Sequence, residues 1–186
     1  MNVYDFDGTV YRGDSTVDFY LFCLRRQPSV IRFLPVQIKG FVLYKTGKIT
    51  KTAFKEQFFS FLKGIASPEG LLKQFSDKYR KKLEKWYLDR CRDDDVIISA
   101  SPEFVLSGLL AGRNVTVIAS RVDIENGKFI GENCYGDEKA RRFKAVFGDI
   151  AVDEFYSDSC SDAPMAKLAK RAFIVKNGII SVWESR

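Results

Sequence analysis

The spacing of apolar residues changes character twice along the chain. The opening VYDF places a short apolar run directly before a polar turn that holds Asp5 and Asp7, the pattern of a buried strand that ends in a loop. From residue 15 to about residue 92 the spacing is helical. Val17, Tyr20, Leu21 and Leu24 form one stripe, and Ile31, Leu34, Ile38, Phe41 and Val42 form a second. Phe54, Phe58, Phe61 and Leu62 make a third, and Leu72, Phe75, Tyr79, Leu83 and Trp86 a fourth. Pro, Gly and Ser separate the stripes, so four successive helices in a small bundle are predicted, with Ser15 as the first N-cap.

After Asp93, Asp94 and Asp95 the spacing changes again. VIIS (96–99) and NVTVIAS (114–120) read as strands, with a helix over 101–112 between them. Asn126-Gly127 predicts a hairpin closed by a type I′ turn. A helix over 136–148, a strand over 152–157, a helix over 162–170 and strands over 172–175 and beyond complete the chain. Strands alternating with helices predict an α/β fold, a doubly wound, Rossmann-like parallel sheet. The helical segment interrupts it after the first strand. The expected division is a core of residues 1–14 and 93–186 with a four-helix cap, residues 15–92, inserted in it.

In open sheets of this kind ligands bind beyond the carboxyl ends of the strands. Four polar clusters sit there: D-F-D-G-T (5–9), S-A-S (99–101), Lys139 entering a helix, and D-S-C-S-D (158–162). They are expected to face one crevice.

Composition narrows the chemistry. The 186 residues contain no histidine, which removes Ser-His-Asp and Cys-His catalysis and every His-ligated metal. The four cysteines are scattered without C-x-x-C spacing, as expected of reduced structural thiols. No apolar run approaches the roughly 20 residues of a membrane span, and no signal pattern opens the chain, so a cytoplasmic location is expected. Net charge is +6, unevenly spread: residues 15–92 carry 17 Lys and Arg against 6 Asp and Glu, and the remainder 13 against 18. Nucleic acid, a membrane surface or a small anionic substrate would each suit a basic insertion in an acidic frame, and solvated lysines on helix faces account for most of such charge by themselves.

The strand-end clusters, in this order, resemble the motifs of the haloacid dehalogenase superfamily, whose members are mostly Mg²⁺-dependent phosphohydrolases working through an aspartyl-phosphate. VYDFDGT is similar to the first motif and VIIS, ending in Ser99, to the second. Lys139 in G-D-E-K matches the third, and Asp158 with Asp162 in FYSDSCSDAPM the fourth. The likeness spans essentially the whole chain and is nearest to the phosphoserine-phosphatase branch, which carries a helical cap in the same place.

The resemblance implies a division of labour. Asp5 is the nucleophile, and Asp7 the acid and base that protonates the leaving group and later activates water. Asp5, Asp158 and the backbone carbonyl of Asp7 hold Mg²⁺. Ser99 and the N–H of Ala100 bind phosphoryl oxygens, Lys139 offsets negative charge, and Asp162 orients its neighbours from behind. Dehalogenases of the superfamily lack the second aspartate, so Asp7 favours phosphate esters. A catalytically silent member that binds a phosphometabolite or a partner is the alternative.

The substrate that the resemblance implies is a small-molecule phosphate monoester, with no nucleic acid expected. Asp14 sits where the phosphoserine enzymes carry an acid for the substrate ammonium, or it equally caps the helix that starts at Ser15, and Arg25, Arg26 and Arg32 match no motif for the substrate carboxylate. The basic, apolar segment LRRQPSVIRFLPVQIKGFVLY (24–44) is similar in character to caps of lipid-phosphate phosphatases in this branch. Contact with anionic membrane is the less favoured reading, and a helix packed inside the bundle the expected one.

Overall fold

Two-residue alternation within the strands decides the architecture. In the computed structural model, which describes residues 1–183, strand β1 (Asn2–Tyr4) sends Val3 to one face of a sheet and Tyr4 to the other. The same alternation places Ile97 and Tyr156 beside Tyr4, and Val96, Ile98 and Phe155 beside Val3. Both faces are covered, as a parallel sheet requires.

The sheet has six strands in the order β3-β2-β1-β4-β5-β6. These are β2 (Val96–Pro102), β3 (Thr116–Ser120), β4 (Val152–Ser157), β5 (Ala169–Lys176) and β6 (Ile179–Val182). All neighbours are parallel except β5 and β6, so the doubly wound parallel sheet is as expected. The chain runs outward from β1 through β2 to β3, then crosses to β4 on the far side of β1. That reversal puts the switch point at the carboxyl ends of β1 and β4.

Between β1 and β2 lie α1 (Ser15–Arg26), α2 (Leu34–Lys45), α3 (Lys51–Phe59), α4 (Pro68–Tyr79) and the single turn α5 (Lys85–Leu88), joined partly by 3₁₀ turns. The expected fourth stripe therefore splits: α4 ends at Tyr79, and Leu83 leaves it to bridge Tyr11 of the first loop. Beyond β2 come α6 (Glu103–Leu109), α7 (Asp137–Phe147) and α8 (Ala163–Ala166). Helix α8 is shorter than the sequence predicts because β5 begins at Ala169.

One hydrophobic core joins the insertion to the sheet. Phe19 and Phe22 of α1, Phe61, and Phe75 of α4 pack with Leu106 and Leu109 of α6 and with Tyr4 and Tyr156. Phe75 meets Phe19 edge-on at 5.2 Å between centroids and stacks on Tyr79 at 4.6 Å. A second core under the other face centres on Phe143 of α7 and Met165 of α8.

Three further sequence expectations are corrected. Helix α1 is capped by Asp14 rather than Ser15, accepting from the Val17 N–H at 2.9 Å, and it buries Phe19, Phe22 and Cys23, leaving Val17 and Leu21 exposed. The second stripe is not packed inside the bundle: α2 buries Gln37 and Gly40 and exposes its large apolar side chains.

The third correction concerns Asn126-Gly127, which forms no type I′ turn. There the Asp123 carboxylate takes the N–H groups of Glu125 and Asn126 and the Asn126 amide, a side-chain turn that competes with the backbone one. The type I′ geometry appears instead at Asn177-Gly178, with φ of 52° and 78°, closing the β5–β6 hairpin.

Candidate active site

The loop after β1 turns a strand end into a pair of inward carboxylates. The N–H of Asp5 still reaches the Tyr156 carbonyl of β4 at 2.8 Å, so Asp5 prolongs the parallel ladder. Phe6 points the other way, is fully buried and stacks on Tyr11. Its carbonyl accepts from the N–H groups of Thr9, Val10 and Tyr11. This folds the loop back on itself and leaves Asp5 and Asp7 on the same side. Gly8, at φ +72°, lies against Asp158; a Cβ there would stand 2.4 Å from Asp158 Oδ2. The glycine is what lets the first and last acidic segments meet.

At β2 the ladder breaks. Ser99 pairs with Ala119, but the next partner pair is Pro102 with Ser120. Ala100 and Ser101 bulge out of register into the cleft, as bulges beside functional sites do. Ser99 Oγ accepts from the Ser101 N–H at 3.1 Å, and Ser101 Oγ donates to Asp7 Oδ2. The other Asp7 oxygen, Oδ1, takes the Ser15 N–H at 2.6 Å. Thr16 Oγ1 lies 3.0 Å from Ser101 Oγ, so a hydroxyl pair backs Asp7.

Lys139, in the first turn of α7, is 2% exposed. Its Nζ donates to Asp5 Oδ1 at 2.6 Å and to Asp162 Oδ2 at 2.7 Å. Ser157 Oγ, at the end of β4, donates to the same Asp162 oxygen at 2.7 Å. Three segments distant in sequence are thus tied by one ammonium group.

Every residue proposed from sequence lines one cleft of about 390 Å³: Asp5, Asp7, Asp14, Ser99, Ala100, Lys139, Asp158 and Asp162. Val17, Phe54, Phe58 and Phe59 make its apolar wall. Asp14 spends Oδ1 on the α1 N-terminus.

The structure adds residues that the sequence analysis missed. Lys55 of α3 enters the cleft and donates to the Ala100 carbonyl at 2.7 Å and to Asn133 Oδ1 at 3.0 Å. Lys51 stands 3.2 Å from the Tyr135 ring centroid. Ser101 was one position from Ala100 in the same motif, and its distance from Asp7 in sequence hid its role. No local signal marks Lys55, a lysine among lysines on a basic helix.

Electrostatically the floor is short of positive charge. Burial pushes the Asp5 carboxyl above the usual carboxylate range, with Lys139 opposing. Burial, and then the Asp14 charge, raise Asp7 to about 6 against the pull of its Ser101 and Ser15 hydrogen bonds. Asp158 is also raised by burial, with Lys176 opposing. Burial alone would lower Lys139, but Asp5 and Asp162 outweigh it and keep the ammonium charged. Burial lowers Lys55 to about 8, with Lys51 adding to the effect. Among the described residues no three His, Cys, Asp or Glu side chains converge as a metal cluster, so any cation here must use few carboxylates together with backbone or water oxygens.

Comparison with known proteins bears on the fold and the family. The Protein CicA of Caulobacter vibrioides is 27% identical, over 89% of this chain and 81% of that protein. A protein of unknown function from Bordetella pertussis superposes with a TM-score of 0.71 at 18% identity, over 92% of this chain and 87% of that one. A probable phosphoserine phosphatase from Vibrio cholerae gives 0.61 at 12% identity, over 92% of this chain and 55% of that one. At these identities the two structural likenesses concern the fold alone. The sequence pattern of the haloacid dehalogenase-like hydrolases matches residues 3–167, and by that match the chain belongs to this hydrolase family.

Proposed function

We propose that the protein is a Mg²⁺-dependent phosphatase that hydrolyses a small phosphate monoester through an aspartyl-phosphate on Asp5. The supporting observation is the Lys139 ammonium held between Asp5 and Asp162, with Asp7 in the same cleft. The cation deficit of the floor and its all-oxygen donors fit a hard divalent ion, which keeps waters and takes few carboxylates. Asp5, Asp158 and the Asp7 carbonyl would hold it. When bound, it supplies positive charge that screens the phosphate dianion from the attacking carboxylate.

The remaining steps belong to the chain. Lys139 pins Asp5 Oδ1, leaving Oδ2 to attack phosphorus as the bond to the leaving oxygen breaks. Asp7, raised by burial toward neutrality, gives its proton to that oxygen. As a carboxylate it then takes a proton from water, whose oxygen attacks phosphorus and releases Asp5 and inorganic phosphate. In this reading Ser99 and the Ala100 N–H bind the phosphoryl oxygens. Asp162 and Ser157 position Lys139. In this reading residues 15–92 act as a cap over the remainder and bound the leaving group with their apolar wall, and the free Asp14 oxygen faces any cationic group on it.

The test is turnover of p-nitrophenyl phosphate with Mg²⁺ and with EDTA, followed by a panel of phosphate esters that includes phosphoserine, sugar phosphates and a short-chain lipid phosphate. Asp5→Asn is expected to lower kcat by on the order of 10³-fold or more. Asp7→Asn is expected to lower it by about 10²–10⁴-fold. Activity surviving Asp5→Asn sinks the covalent route, and a folded wild type inert on the whole panel points to the silent binding protein.

A further inference from the structure

Helix α2 is built inside out. Gln37 is buried, donating from Nε2 to the Phe58 carbonyl at 2.9 Å and accepting the Tyr20 hydroxyl at 2.9 Å. Gly40 lies flush against α3, where a Cβ would stand 2.7 Å from Gln57 Oε1. These contacts lock the rotation of the helix with its polar and small residues inward. Outward go Leu34, Val36, Ile38, Phe41 and Val42, with Ile31 of the preceding 3₁₀ turn; Ile31, Ile38 and Val42 are each more than half exposed. Scattered apolar residues on a surface need no explanation, but six on one helix and its lead-in do.

The charge around this patch has one sign. Residues 24–48, the segment that carries it, contain six Lys and Arg and no Asp or Glu. Arg32 lies 5.0 Å from the Phe33 ring centroid and Lys45 lies 5.6 Å from that of Phe41, so cations rim the apolar side chains. The patch also continues into the cleft: Phe41 packs edge-on against Phe54 at 6.0 Å, and Tyr44 stacks on it at 5.3 Å. Phe54 is part of the cleft wall.

From this geometry we infer that α2 and its 3₁₀ lead-in form a docking surface for an anionic lipid bilayer. Apolar side chains ringed by Lys and Arg, without acids, match a helix lying in the headgroup region. An unbroken run of cations without an acid is the charge pattern that anionic headgroups attract. Among the described residues no helix is long and apolar enough to cross a membrane, so the contact is peripheral. It also sets the mouth of the cleft beside the bilayer surface through Phe41 and Phe54.

The test is co-sedimentation of the full chain with phosphatidylcholine vesicles and with vesicles of phosphatidylcholine and phosphatidylglycerol. Binding to the anionic vesicles is expected, at least about tenfold tighter than to the neutral ones and weakened by salt. Ile38→Asp with Val42→Asp removes it, and Arg32→Glu with Lys39→Glu weakens it. Both double variants keep wild-type circular dichroism and wild-type turnover of p-nitrophenyl phosphate. The inference fails if wild type stays in the supernatant with both vesicles, or if the Asp variant binds as wild type does. Sedimentation velocity is run alongside. A dimer that Ile38→Asp dissociates, with no vesicle binding, assigns the face to a second copy of the chain instead. Vesicle binding is read without catalysis, so failure of the phosphatase reading leaves this result intact.

Discussion

The cleft floor and helix α2 reverse the usual placement of side chains in opposite senses. On the floor, charges are buried: Asp5, Lys139 and Asp162 are nearly inaccessible. On α2, apolar groups are exposed and Gln37 is buried. Buried charges persist only when paired and hydrogen-bonded, and the floor meets that condition internally through Lys139, Ser157 and Ser101. The outward side of α2 has no such internal partner among the described residues. The Asp5–Lys139–Asp162 set is paired within the chain, whereas the exposed apolar side chains of α2 are left on the surface.

The largest effect tests the floor. Lys139→Met leaves Asp5 and Asp162 buried without their shared cation and is expected to lower stability by about 3–5 kcal/mol, measured by urea unfolding in EDTA. A loss under about 1 kcal/mol would show that the ion pair is dispensable and remove the contrast with α2.

Two phenylalanines of the insertion sharpen it. Phe75→Ala in α4 empties a fully buried site and is expected to cost about 3–5 kcal/mol in the same measurement. Phe41→Ala, at a half-exposed site, is expected to cost about 1 kcal/mol. Equal losses would mean that α2 belongs to the core after all.

Lys55 tests the border between the two regions. In the folded chain it titrates near 8 rather than its ordinary 10.5. Between those values the unfolded chain holds a proton that the folded chain has lost, so stability rises with pH across that window. Below about pH 8 both states are protonated and the full penalty of the buried charge is present. The rise is expected to be on the order of 2–3 kcal/mol. It should vanish in Lys55→Met, as followed by urea unfolding from pH 7 to 10.5. A curve unchanged by Lys55→Met would mean that the lysine is solvated.

The smallest effect is expected at the exposed centre of α2. Ile38→Ser should shift stability by no more than about 0.5 kcal/mol in either direction, because little of that side chain is buried by folding. A loss above about 1.5 kcal/mol would place Ile38 in a packed interior and end the comparison.

Much of the site was legible because its chemistry is written in short local motifs. Asp5 and Asp7 share a side at a spacing of two, and Asp158 follows an apolar strand, so the topology of an α/β sheet brings their positions together before any coordinates are known. Ser101 and Lys55 were not legible in this way. Ser101 reaches Asp7 because two residues bulge from β2, and nothing in S-A-S announces a bulge. Lys55 reaches Ala100 and Asn133 because α3 packs over the cleft. Asn126-Gly127 and Asn177-Gly178 carry the same dipeptide, yet only the second makes the tight turn. Asp123 offers the first a competing set of hydrogen bonds.

The sequence by itself determined the parallel α/β core, the helical insertion after its first strand, and the eight residues that share the cleft. The core and the insertion follow from periodicity; the eight residues follow from strand-end motifs read together with the resemblance to the haloacid dehalogenase superfamily. Tertiary structure alone decided which way α2 faces. Apolar residues also lie off the predicted stripe, at Val36 and Leu43, so periodicity sets the phase of that helix only weakly. The phase comes from Gln37 and Gly40 meeting Tyr20, Gln57 and Phe58 across the fold. Five apolar side chains that periodicity assigned to a core are turned outward by two small contacts made elsewhere.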